Sequence, residues 1–165
     1  DYSVNMSGGV FMPSLDYEEI YSKFRLKASA YDLLDFRDDD VNAFLCDWMH
    51  SAINKPYIYR LFNSVEFHDT IQKFDFTMKY SVNDDFDKEL ITDAVGIGLV
   101  IEWITPKINN LNNIQQVYAT SEEKFFSQAA HLSTLQALRD SLIREQRNLI
   151  RDRGYIWNSY LDGTS

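Results

Sequence analysis

The chain has 165 residues, 45% of them hydrophobic and 25% charged, and a net charge of −9. That length fits one domain with a sizeable core, which removes about 68–70% of the unfolded surface from water. The acidic balance opposes non-specific binding to nucleic acid or an anionic membrane, because phosphate binding relies on clustered Lys and Arg.

Cys46 is the one cysteine, so no disulfide can form within the chain, in keeping with a reducing, intracellular origin. No apolar run approaches the roughly 20 residues that span a bilayer. The longest candidate, 94–104, contains Glu102. The opening segment 1–13 has no basic stretch and is not expected to be a secretory signal. Ten Tyr, eleven Phe and three Trp make the chain 15% aromatic. Such rings fill cores and also anchor protein interfaces, so the excess points towards assembly.

Residues 1–13 contain Ser-Gly-Gly and end in Pro13, which reads as an irregular arm. Asp16 stands three before Glu19, the carboxylate spacing of a capping box. Tyr17, Ile20, Tyr21 and Phe24 then form one apolar stripe of a first helix, with 28–36 continuing as a turn or short helical piece. Asp38, Asp39 and Asp40 suit the positive end of a second helix. Val41, Phe44, Leu45, Trp48, Ala52 and Ile53 line its inner face, and Pro56 stops it.

The period then changes. Lys73-Phe74-Asp75-Phe76-Thr77-Met78-Lys79-Tyr80 alternates polar and apolar, which predicts a half-buried strand. Residues 57–62 are its expected hairpin partner, while 65–71 is ambiguous. Asn83-Asp84-Asp85-Phe86-Asp87 opens the next element. Leu90, Ala94, Ile97, Ile101 and Ile104 recur at helical spacing up to Pro106, where the helix is expected to end. Gly96 and Gly98 each weaken a helix by about 1 kcal/mol relative to Ala, so a buried strand over 95–104 competes. Length favours a helix, with the glycines admitting a close neighbour. The Asn-rich piece 107–113 reads as a loop.

A last helix is expected from Thr120 or Ser121 to about Arg153. Leu132, Leu135, Leu138, Leu142 and Leu149 mark its apolar side, with Arg139, Arg144, Arg147 and Arg151 mainly on its flanks. It forms a rod of roughly 45–50 Å, long for so small a domain. Residues 154–165 lose helical spacing yet carry Tyr155, Ile156, Trp157, Tyr160 and Leu161, which are expected to dock on a partner rather than fray. The fold class is therefore mainly α: a bundle of about four helices with a long C-terminal helix and a small β-hairpin insertion over 57–82.

Candidate chemistry is sparse. Cys46 and His50 are four apart on the second helix and could reach one metal, but zinc needs three or four protein ligands, and His68 and His131 lie on distant elements without ligand-like neighbours. Asp84, Asp85, Asp87 and Glu89 hint at calcium, but the turn glycine is missing and Lys88 intrudes, so helix capping explains them better. Gly96-Ile97-Gly98 lacks the third glycine of a dinucleotide fingerprint. Asp140, Glu145 and Asp152 interleave with the arginines of the last helix, so that surface reads as salt-bridged rather than nucleic-acid-binding. No catalytic residue, metal or cofactor is assigned.

Several blocks carry a resemblance. They are Asp16-Tyr17-Glu18-Glu19-Ile20-Tyr21-Ser22-Lys23-Phe24, Ser51-Ala52-Ile53-Asn54-Lys55 and Val100-Ile101-Glu102-Trp103-Ile104-Thr105-Pro106-Lys107-Ile108. Lys124-Phe125-Phe126-Ser127-Gln128-Ala129-Ala130-His131-Leu132 and Arg151-Asp152-Arg153-Gly154-Tyr155 complete the set. Together they resemble head–tail connector (neck, or adaptor) proteins of tailed bacteriophages. Against that pattern the segment 57–85 is longer and more β-like, an added hairpin.

The resemblance implies a virion subunit in a homo-oligomeric ring, often a dodecamer. Such a ring sits beneath the portal protein, extends the DNA channel and receives a downstream neck or tail protein. DNA passes through without specific recognition, and no membrane is involved. Connectors of this kind dock to the portal partly through C-terminal segments, which nominates Tyr155, Trp157, Tyr160 and Leu161 here, with Arg151 and Arg153 as charged support. The alternatives are a stopper or tail-completion ring, a non-viral helical interaction module, and a metal-dependent hydrolase built on Asp84, Asp85 and Asp87.

Overall fold

The computed structural model describes residues 12–31, 38–117 and 122–156, with side chains described for 12–31, 41–110 and 130–153. Within them the chain is mainly helical with one small antiparallel sheet. In order it forms β1 (Ser14–Asp16), α1 (Tyr17–Ser29), α2 (Asp38–Ile53), α3 (Pro56–Tyr59), β2 (Phe62–His68), β3 (Lys73–Met78), α4 (Asp84–Val117) and α5 (Glu122–Ile156). A 3-10 turn, Asp69–Ile71, joins β2 to β3.

The sheet order is β1-β3-β2, so the segment ahead of α1 pairs with the far strand of the hairpin. Leu15 stands opposite Phe74, and Phe67 opposite Phe74 on the other side. Period-two alternation sends Phe74 and Phe76 into the core, as their sequence predicts. One expectation is corrected. Residues 56–59 are helical because Pro56 occupies the first turn, where its missing N–H costs nothing, and the partner strand is 62–68 instead. The expected small β-hairpin is present, and Phe62, Phe74 and Phe76 tie it to the main core. At the end of the expected arm, the Pro13 carbonyl accepts from the Phe76 amide at 3.0 Å; residues 1–11 lie outside the described residues.

α1 buries Tyr17, Ile20, Tyr21 and Phe24, the expected stripe, and Ala28 one turn on. Its N-cap, Asp16, makes no side-chain capping bond; the carboxylate pairs with Lys73 across the sheet at 3.3 Å. On α2 the inner face is Val41, Leu45, Met49, Ala52 and Ile53. Phe44 lies outside it, 51% exposed and stacked on Trp48. Met49, four positions after Leu45 and eight after Val41, completes that face.

Residues 95–104 are helix, not strand, and the glycines do admit a neighbour. A Cβ at Gly98 would come within 2.9 Å of Ala52 Cβ, and one at Gly96 within 2.9 Å of Lys23 Cγ. The expected stop at Pro106 and the loop at 107–113 are both corrected: α4 runs on to Val117. Ile104 and Ile108, on either side of the proline, are buried, while Pro106 faces solvent. Tertiary packing there outweighs the lost backbone bond. α5 likewise passes Gly154 to reach Ile156. It lies antiparallel to α4, since Gln146 bonds Ala94 and Arg153 bonds Asp87. By the 1.5 Å rise per residue, the two helices are about 51 and 52 Å long.

Candidate functional site

Of the six residues nominated for docking, two have described side chains, and they behave differently. Arg151 is exposed and, among the described residues, pairs with Asp152 at 3.6 Å. Arg153 is 6% exposed and turns into the fold, where its guanidinium bonds Asp87 and donates to the Tyr80 carbonyl at 2.8 Å. It also covers the Phe86 ring, 4.7 Å from the centroid. Asp87 in turn accepts from Ser81 Oγ at 2.5 Å and from the Val82 amide at 3.2 Å. The pair closes the base of the α4–α5 hairpin, so Arg153 is an internal brace rather than free charged support. The side chain of Tyr155, and Trp157, Tyr160 and Leu161, lie outside the described residues.

The acidic run at the start of α4 resolves in the same way. Asn83 Oδ1 accepts from the Phe86 amide at 2.8 Å and caps the helix, so capping does explain the run, with Asn83 rather than a carboxylate as the acceptor. Asp87, one of the three carboxylates of the hydrolase alternative, is bonded to Arg153.

Two grooves flank α5. One, of about 330 Å³, is lined by Lys23, Leu26, Lys27, Ile97, Glu145 and Leu149 among others. The second, of about 260 Å³, continues past Asp93 and Leu149 to Phe86, Leu90 and Arg153. Leu26 is 68% exposed at the first and Phe86 37% exposed at the second. Lys23–Asp93 and Lys27–Glu145 ion pairs, both 2.6 Å, bracket the first groove. An apolar floor with a charged rim is the ordinary anatomy of a protein-binding surface.

A second polar cluster lies where the hairpin turn meets α2. The helix places Cys46 and His50 one turn apart, and the turn adds Asp69. Asp69 Oδ1 accepts from Tyr17 Oη at 2.5 Å, stands 2.8 Å from His50 Nε2, and accepts from Cys46 Sγ at 3.8 Å. The three metal-capable atoms lie within 4.8 Å of one another. Gln72 fixes the turn with a left-handed backbone, φ 55° and ψ 47°, and its side-chain amide donates to the Asp69 carbonyl at 2.7 Å. Phe67 packs on the imidazole, ring centroids 4.1 Å apart.

Electrostatics follow from this crowding. The Tyr17 hydroxyl, then His50, holds the Asp69 carboxyl below the usual range. Burial, then Asp69, pushes the Cys46 thiol up. Burial pushes both the Tyr17 and the Tyr21 phenols up; Asp69 adds to it at Tyr17 and Cys46 at Tyr21.

The sequence displayed the Cys46–His50 spacing but not Asp69, nineteen positions on in an ambiguous stretch. No Gly, Pro or Asn marks that turn; Asp69 itself was the signal. His68 also has a ligand-like neighbour after all, Asp75 Oδ2 at 3.0 Å, supplied by strand pairing. Among the described residues no helix is long and apolar enough to cross a membrane. Compared with protein-family models, with characterised proteins and with solved structures, the chain matches none.

Proposed function

We propose that the chain is a structural subunit of a ring at the head–tail junction of a tailed bacteriophage, docked to the portal and without chemistry of its own. The observation that carries this reading is the reach of the α4–α5 hairpin. α4 and α5 are antiparallel helices of 34 and 35 residues, about 51 and 52 Å long in a chain of 165 residues. Helices that long in so small a domain are suited to packing against neighbouring subunits. The apolar grooves beside α5 give a second surface that a neighbour would cover, with Leu26 and Phe86 as contacts.

In this reading the segment after Ile156 docks to the portal through Trp157, Tyr160 and Leu161, with Tyr155 at the helix end and Arg151 as its charged flank. The acidic composition keeps passing DNA from adhering. A stopper or tail-completion ring remains the nearest alternative and differs in its docking partner.

The test is to add the purified chain to DNA-filled capsids that carry a portal but no neck, and to image them. A closed ring of density on the portal is expected. A chain cut after Ile156 keeps the Asp87–Arg153 pair and should fold but fail to join. A full-length chain that stays monomeric and leaves the portal bare would remove the reading, as would joining that survives the cut for the docking segment.

A further inference from the structure

We propose that Cys46, His50 and Asp69 form a zinc-binding site that clamps the hairpin turn to α2, with solvent completing the coordination. The inference is independent of the connector reading. It starts from donor chemistry: a thiolate, an imidazole and a carboxylate together suit Zn²⁺ better than Mg²⁺ or Ca²⁺, which prefer oxygen alone.

Geometry is next. Around a tetrahedral zinc with bonds of about 2.0–2.3 Å, neighbouring ligand atoms stand about 3.3–3.8 Å apart. The present separations are 2.8 Å for His50 to Asp69 and 3.8 Å for Cys46 to Asp69, and all three atoms fall within 4.8 Å. Displacements of about 1 Å in the ligand atoms, reached by side-chain rotation, close the set. The Asp69 side chain is 55% exposed, so its carboxylate is free to turn and an ion has a route in.

A further observation points into the same space. Tyr21 is 7% exposed, and its buried hydroxyl makes no well-formed hydrogen bond; after burial, Cys46 is the group that acts on it most. A buried hydroxyl so poorly satisfied is costly. A zinc-bound Cys46 sulfur would accept from it, just as Asp69 already accepts from Tyr17. The tyrosines then orient two of the three ligands, the arrangement by which outer partners tune a metal site. Phe67 does the same for the imidazole by packing. On binding, the Cys46 thiol releases its proton to solvent, and His50 bonds through Nε2 with its proton on Nδ1.

The test uses the full chain, stripped with chelator, titrated with CoCl2 and then with ZnCl2. Saturable one-to-one binding of Co²⁺ with a thiolate-to-cobalt charge-transfer band is expected, and Zn²⁺ should displace it. Cys46→Ser should abolish the band, while Asp69→Asn and His50→Gln should each weaken Zn²⁺ at least about tenfold. Tyr21→Phe should weaken it less, and His68→Gln should leave it unchanged. Circular dichroism on each variant confirms the fold, and exposed Asp69 supplies the variant least able to disturb it. Absence of saturable binding overturns the proposal, as does binding without the band, or an affinity that D69N and H50Q leave intact. Loss of binding in H68Q alone would overturn it too, by moving the metal to His68 and Asp75.

Discussion

Two polar clusters hold separate parts of this molecule, and they differ in how they treat water. At the base of the α4–α5 hairpin, Asp87 and Arg153 are buried, opposite in charge and bonded to each other, with Ser81 and the Tyr80 carbonyl taking further positions. At the hairpin turn, Cys46, His50 and Asp69 are half-open and converge on a single oxygen. The first is buried and paired internally, although Arg153 Nη1 has no partner among the described residues, and reads as architecture. The second leaves donor capacity facing a solvent-accessible gap, which is the condition for taking up a ligand. Exposure and convergence, more than residue type, separate a brace from a site.

That contrast can be broken most severely at the brace. Asp87→Ala leaves a buried guanidinium uncompensated and should lower unfolding stability by about 3–5 kcal/mol, read from urea melts. Replacing both partners by well-packed apolar residues should restore much of it, because the desolvation of both charges is then avoided.

Next comes the helix contact between the two clusters. Gly98→Ala puts a methyl against Ala52 and should cost about 1–3 kcal/mol despite the better helix propensity of alanine. Adding Ala52→Gly should recover part of that loss, a coupling measurable in a double-mutant cycle. At the turn the effect is smaller: Tyr17→Phe removes one bond to Asp69 and should cost about 1–2 kcal/mol in metal-free protein. Smallest of all, Leu26→Ser should change stability by no more than about 0.5 kcal/mol while weakening subunit association in the ring assay.

Much of the fold was legible because periodicity reports burial. The α1 stripe, the Phe74–Phe76 alternation and the leucines of α5 each sit where their spacing puts them. Local rules failed where distant packing overrode them. Pro106 marks a stop by its own chemistry, yet Ile104 and Ile108 are held from outside the helix. Ser14–Asp16 is too short to announce itself as a strand; only the edge of β3 makes it one. The turn cluster was half legible for the same reason. Cys46 and His50 share a helix and therefore a visible spacing, whereas Asp69 arrives through the sheet, and no spacing encodes that.

The strand order has a consequence for how the chain is made. Leu15 is synthesised early but cannot take its place until Phe74 exists to pair with it, and β3 itself needs β2. The first helix therefore leaves the ribosome with its aromatic stripe uncovered. Contacts so distant along the polypeptide form slowly. Nascent α1 then stays uncovered until α4, against which it mainly packs, has also been made.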